Sequence, residues 1–234
     1  MMRGFAAAGA LALTLIYAAP SPAQDHGDAM TDPALKRAEV LAFVGVKPGD
    51  RVADIVAGRF VRAFSQAVGP TGKVYAVETA EVVKAHPEVM GMLNQIALAP
   101  GSNVVISATP VNDMGLPHHL DEVFIRQNYH DLHDKFMGPA DVPGFNRQVF
   151  AALKPGGVFV VLDHSAPGTD LGATESLHRI DEAAVKREVE AAGFVLDGES
   201  HILANPADDH TKMVFDAAIR GKTDQFLLRF RKPG

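Results

Sequence analysis

The sequence has no cysteine among its 234 residues. That absence excludes disulfides, thiolate metal sites, a thiol nucleophile and a lipoprotein anchor at one stroke. Low-complexity runs and internal repeats at solenoid periods are also absent, so one domain is the simplest organisation. Basic residues are in deficit, with 22 Lys and Arg against 28 Asp and Glu. This balance argues against a nucleic-acid partner, which is held through a basic patch. No basic amphipathic helix suits a membrane surface.

What is present is an ordinary globular composition, 47% hydrophobic and 21% charged, enough to bury one core. The first residues stand apart. "MMRGFAAAGALALTLIYAAPSPAQ" carries Arg3, an apolar run from Phe5 to Ala19, then Pro20 and Ser21-Pro22-Ala23. Small residues before Gln24 fit a signal-peptidase cut after Ala23. The run is shorter than the roughly 20 residues a bilayer span needs. A membrane anchor, or a start at Met30, is the competing explanation. The expectation is a signal peptide over 1–23, a single domain over 24–234, no stable membrane anchor after cleavage, and export to the periplasm. Cleavage removes Arg3 and no acid, so 21 basic against 28 acidic residues leave a formal charge of −7.

Asp32-Pro33 reads as a helix start, with Leu35, Ala38, Leu41 and Ala42 on one face and Gly45 as its stop. Short apolar runs rich in Val and Ile then recur at Arg51–Val56, Lys73–Glu78, Asn103–Ser107, Asp121–Arg126 and Val158–Asp163. Helical spacings lie between them, such as Phe60, Phe64, Ala67 and Val68. This alternation predicts crossover units and a parallel sheet covered on both faces. Asp181 can cap a helix reaching Ala192. Phe194–Ile202 and Gln225–Arg231 read as a final antiparallel pair. "RGKTD" (Arg220–Asp224) lacks the upstream glycine of a phosphate loop and reads as the loop entering the last strand.

The segments "GVKPGDRVADI", "VGPTGKVYAVE", "DEVFIRQNYHDL", "LKPGGVFVVLDH" and "FLLRFRKP" resemble those of class I S-adenosylmethionine-dependent methyltransferases. More narrowly, the chain resembles a group of bacterial methyltransferases with export signals. The resemblance runs from about Leu35 to the C-terminus. It implies a Rossmann-like α/β fold with a seven-stranded, mostly parallel sheet, helices on both faces and an antiparallel last strand. It also implies S-adenosylmethionine as cofactor and a small-molecule substrate.

That resemblance implies roles residue by residue. The family's first loop has the pattern acid-x-G-x-G-x-G. Here the loop is Asp54-Ile55-Val56-Ala57-Gly58-Arg59-Phe60; of the glycines only Gly58 matches, and Asp54 with Gly58 are the cofactor candidates of this loop. Val56 and Arg59 stand where side chains can crowd the cofactor's methionine end. Glu78 lies 20 positions beyond Gly58 (78 − 58), a spacing at which an acid accepts hydrogen bonds from ribose hydroxyls. A plain turn at Gly58 and a helix-start acid at Glu78 are the structural alternatives. Ser107 is the candidate toward adenine. In "RQNYHDLHD" (Arg126–Asp134), Tyr129 or His130 is the candidate general base, and Asn128 with His164 the candidate substrate contacts. A capping network around the next helix is the alternative there.

His118, His119, His130, His133, His164 and His178 fall near strand ends with Asp121, Asp131, Asp134 and Asp163 nearby in sequence. Imidazole with carboxylate suits zinc, iron or manganese. No ligand pair forms a recognised motif, so the expectation is surface histidines and no metal. Three functions remain open: a methyltransferase, an exported binding protein that kept the fold and lost the cofactor, and a metal-dependent hydrolase.

Overall fold

The valine-rich runs form the strands of one sheet. The computed structural model describes residues 27–234, so the expected signal peptide and its cleavage after Ala23 lie outside the described residues. The strands are β1 (Arg51–Ile55), β2 (Lys73–Thr79), β3 (Val104–Thr109), β4 (Leu120–Arg126), β5 (Leu153–His164), β6 (Val195–Ser200) and β7 (Gln225–Arg231). Their order is β3-β2-β1-β4-β5-β7-β6. The first five run parallel. β7 lies between β5 and β6, antiparallel to both. Strand order therefore reverses between β1 and β4, and open parallel sheets bind ligands at the carboxyl ends beside such a reversal.

Seven α-helices among the described residues cover the sheet: α1 (Arg37–Val44), α2 (Val61–Val68), α3 (Ala80–Ala85), α4 (Glu88–Ala97), α5 (Val142–Ala152), α6 (Thr174–Leu177) and α7 (Glu182–Glu190). Strand residues alternate between two apolar layers, as the period of two requires. Phe124, Val160 and Leu162 join Val40, Phe64, Val68 and Leu93 on one face. Val123, Ile125, Phe159 and Val161 join Phe145, Val149, Val185 and Val189 on the other. No helix among the described residues is long and apolar enough to cross a membrane.

The first helix departs from its expected face. Asp32 does cap a turn, accepting from the Ala34 N–H, but that turn is a 3₁₀ segment, Pro33–Leu35. Lys36 then takes a left-handed conformation (φ 45°) and α1 starts afresh. The break rotates the buried face to Val40 and Val44, leaving Ala38 and Ala42 exposed. β5 starts earlier than its apolar run because Leu153 pairs with Leu120 and Gly156 donates to the Lys232 carbonyl. Gly157 is required there: a Cβ would sit 3.0–3.1 Å from the carbonyl oxygens of Lys154, Asp121 and Leu120.

The long connection between β6 and β7 is fastened by one buried ion pair. Arg179 and Asp208 are both inaccessible to solvent, with nitrogen and oxygen 2.9 Å apart. Arg179 also donates to the carbonyls of Ser165 and Lys212, and Asp208 accepts from the Asp224 and His210 N–H groups. Removing one partner of such a pair strands a buried charge. Asp208→Ala is expected to cost about 3–5 kcal/mol in urea unfolding. A loss below about 1 kcal/mol would show that water reaches Arg179.

Candidate active site

The loop after β1 keeps a glycine-type backbone without the glycine. Val56 has φ 50°, and its N–H donates to the Val77 carbonyl at 2.8 Å. A β-branched residue in the left-handed region costs about 1–2 kcal/mol. Gln127 after β4 and His178 after α6 are also left-handed, at φ 56° and 52°. These three left-handed residues line the two cavities at the carboxyl ends of the strands.

Gly58 behaves differently. A Cβ there would meet nothing nearer than the Val56 carbonyl at 4.0 Å, so the protein's own packing does not demand glycine. A ligand laid on the loop would. The Gly58 N–H points to Asp54 Oδ2 at 3.4 Å. Burial pushes the Asp54 carboxyl up to about 7, partly offset by that N–H and by Arg126. The guanidinium of Arg59 is engaged by Asp32 and the Gly27 carbonyl. The cavity beside this loop holds about 80 Å³ and is lined by Asp54, Val56, Gly58, Arg59, Arg126 and Asn128, among others.

Glu78 is the most telling side chain. It is fully buried, and neither carboxylate oxygen has a well-formed hydrogen bond. Burial, with the charge of Asp54 second, pushes its carboxyl to about 8; the Thr79 N–H offsets only part of this. Unpaired buried polar groups cost about 1–3 kcal/mol and are rare without a purpose. Helix capping is not that purpose, because Thr79 caps α3 by accepting from the Val82 N–H at 3.2 Å.

Three candidates sit in surroundings other than those expected. Ser107 lies inside β3, paired with Val77, with the strand running on to Thr109; it does not line the cleft. Tyr129 is wholly buried in the apolar layer below the sheet edge. Its hydroxyl donates to Glu188 at 3.1 Å and accepts from Asn146 at 2.9 Å. Burial, then the Glu188 charge, hold its phenol well above the usual value, so Tyr129 packs rather than acts as a base. His130 does face the cleft, but it is not a ready base. Burial would lower its pKa, yet the charges of Asp163 and Asp131 outweigh this and raise it to about 10.

The cleft itself is a cavity of about 500 Å³ lined by Arg126, Gln127, Asn128, His130, Asp131, His164 and His178, with Phe136 and Phe215 at its rim. Asn128 borders both cavities, and its side chain donates to the Arg126 carbonyl. His164 is held neutral by burial and by the neighbouring charge of His130, and its Nδ1 lies 2.8 Å from Thr223 Oγ1. Burial, with Arg59 nearby, lowers Arg126 to about 9. Arg126 was not singled out in the sequence; its place at the last residue of β4 is the signal. The histidines are not all scattered either. His130 and His178 come together with Asp131 and Asp134, although 48 positions separate the two histidines.

This order of strands, with an antiparallel seventh between the fifth and sixth, settles the architecture. The fold is that of the class I S-adenosylmethionine-dependent methyltransferases. No family model matches the chain. A curated relative is the ubiquinone/menaquinone biosynthesis C-methyltransferase UbiE of Ectopseudomonas mendocina (strain ymp). It is 29% identical over 134 residues, covering 56% of this chain and 48% of the relative. The chain thus matches about half the length of that relative. A methyltransferase of Aquifex aeolicus superimposes with a TM-score of 0.60 at 20% identity, covering 85% of this chain and 91% of that one. The 1,6-didemethyltoxoflavin-N1-methyltransferase of Burkholderia thailandensis, solved with S-adenosylhomocysteine, gives 0.54 at 18%, covering 88% and 80%.

Two outcomes follow from this methyltransferase-type edge. The folded pKa of Glu78, about 8, lies above its ordinary 4.5. The folded protein therefore keeps a proton that the unfolded chain releases, and stability drains away as pH rises between those values. Glu78→Gln cannot titrate, so its thermal midpoint should gain on the wild type steadily from pH 5 to pH 8. Parallel curves would mean that Glu78 is solvated. Tyr129→Phe should lower stability by about 1–2 kcal/mol through the two lost hydrogen bonds, with cofactor affinity unchanged in calorimetry.

Proposed function

We propose that the protein is an S-adenosylmethionine-dependent methyltransferase acting on a small molecule. The observation that carries this is Glu78, a buried carboxyl near the end of β2 with neither oxygen in a well-formed hydrogen bond. A ribose diol offers hydroxyls to both of its oxygens. The left-handed turn at Val56 and the open face of Gly58 support the same placement. Asp54, which holds the Gly58 N–H, keeps the loop in position, and Asn128 stands where the two cavities meet.

The cofactor, when bound, supplies an already activated methyl group. The chain's part is to bind, orient and exclude water. The substrate lies in the 500 Å³ cleft against Asn128, His130 and His164. Phe136 and Phe215, 44% and 55% exposed at its rim, favour a partly apolar molecule. We also propose that the protein acts after export, with its mature N-terminus at Gln24. Intact mass of protein recovered from the periplasm checks this, and a retained Arg3 would overturn it.

The small cavity beside the first loop favours a second function, an exported binding protein that no longer takes the cofactor. About 80 Å³ is well below the roughly 300 Å³ at which small-molecule pockets begin. Calorimetric titration with S-adenosylhomocysteine separates the two. A methyltransferase should bind one equivalent, and Glu78→Ala should weaken it at least tenfold. No heat at millimolar ligand would sink the methyltransferase assignment. Binding untouched by Glu78→Ala would place the ribose elsewhere.

A further inference from the structure

The cleft wall opposite the first loop carries a second cluster that methyl transfer does not require. A short 3₁₀ turn, His130–His133, follows β4 and places His130 and Asp131 on the cleft. Asp134 ends that turn, and His178 follows α6. His130 Nε2 is 3.1 Å from Asp131 Oδ1 and 3.4 Å from His178 Nδ1. His178 Nδ1 is 3.5 Å from Asp131 Oδ1 and 3.7 Å from Asp134 Oδ2.

Those separations have a specific meaning. Ligands about 2.0–2.1 Å from a tetrahedral ion lie about 3.3 Å from one another. These four separations, 3.1 to 3.7 Å, bracket that value. Two further observations point to an ion. Asp134 is 5% exposed, its Oδ2 faces the cluster, and its other oxygen, Oδ1, has no well-formed hydrogen bond. The ring atom of His130 facing away from the cluster, Nδ1, is 2.8 Å from Asp163 Oδ1, and Asp163 is wholly buried. A carboxylate on the far nitrogen of a histidine fixes its ring and tautomer and makes it a better ligand.

We propose that His130 Nε2, His178 Nδ1, Asp131 and Asp134 form a binding site for one divalent first-row transition ion, oriented by Asp163. Two imidazoles with two carboxylates suit zinc, manganese or iron, whereas magnesium and calcium take oxygen ligands. Two carboxylates also balance the ion's charge. The site opens on the same cleft as Asn128 and His164, so the ion faces whatever small molecule lies there. The metal site stands independently of cofactor binding, since none of its ligands belongs to the first loop or to Glu78.

The test uses the full mature chain, purified without a histidine tag and stripped with a chelator. Zinc is titrated by calorimetry, and cobalt(II) by its visible absorption. One equivalent should bind, with a tetrahedral-type cobalt spectrum, and a hundredfold excess of magnesium should not compete. His178→Asn keeps a residue that tolerates the left-handed backbone. It and Asp134→Asn should each weaken zinc at least tenfold, with circular dichroism unchanged. Asp163→Asn, which touches no ion, should weaken zinc about tenfold or more. If either ligand variant fails to fold, the other decides the matter. Zinc that binds without stoichiometry, or equally well to a folded His178→Asn or Asp134→Asn, overturns the site. Because no cofactor is present in this titration, its failure leaves the methyltransferase proposal untouched.

Discussion

One buried carboxylate organises the whole carboxyl edge of the sheet. Asp163, the second-last residue of β5, accepts from the backbone N–H of His130 at 2.9 Å and of His164 at 2.7 Å. Its Oδ1 also meets the His130 ring. It therefore joins the end of one central strand to the turn that follows its neighbour. A charge with no solvent contact is tolerated only when hydrogen bonds surround it. Three such bonds from two segments fix the His130 backbone and ring together. The orientation of the 3₁₀ turn, the placement of Tyr129 beneath it and the position of Asp131 all depend on that attachment.

Around this point the sheet edge concentrates groups that do little for the fold. Val56, Gln127 and His178 hold left-handed backbones that their side chains disfavour. Asp54 and Glu78 carry carboxyls that burial pushes toward neutrality. The opposite side of the balance is plain packing. The rings of Phe60, Phe64 and Phe124 lie with centroids 5.2–6.0 Å apart beneath the first loop. The apolar layers hold the loops in costly conformations, as functional edges require.

The sheet was legible in the sequence because its central strands, β1, β2, β4 and β5, are largely buried on both faces and read as apolar runs. Gln225–Arg231 emerges with the expected ends. What escaped depends on single backbone dihedrals or on contacts distant in sequence. Nothing in "DPALKRAEV" announces that Lys36 turns left-handed and shifts the helix face. Tyr129 sits among polar residues, yet the turn rotates it inward onto Phe145 while His130 turns to the cleft. Glu78 as a candidate is legible from its spacing to Gly58, because both lie in one crossover unit. His178 was not placed beside His130, because α5, β5 and α6 separate them in the chain and only the closed fold brings them together.

The position of β7 sets the timetable of assembly. This strand is made after every other, yet it lies inside the sheet, between β5 and β6, rather than at an edge. Until Gln225–Arg231 arrives, β5 has an open edge and β6 has no neighbour to pair with. The amino-terminal half can form its parallel strands early, but the sheet stays split. Closure of the sheet waits for Gln225–Arg231, the last of its strands in chain order, to pair with β5 and β6.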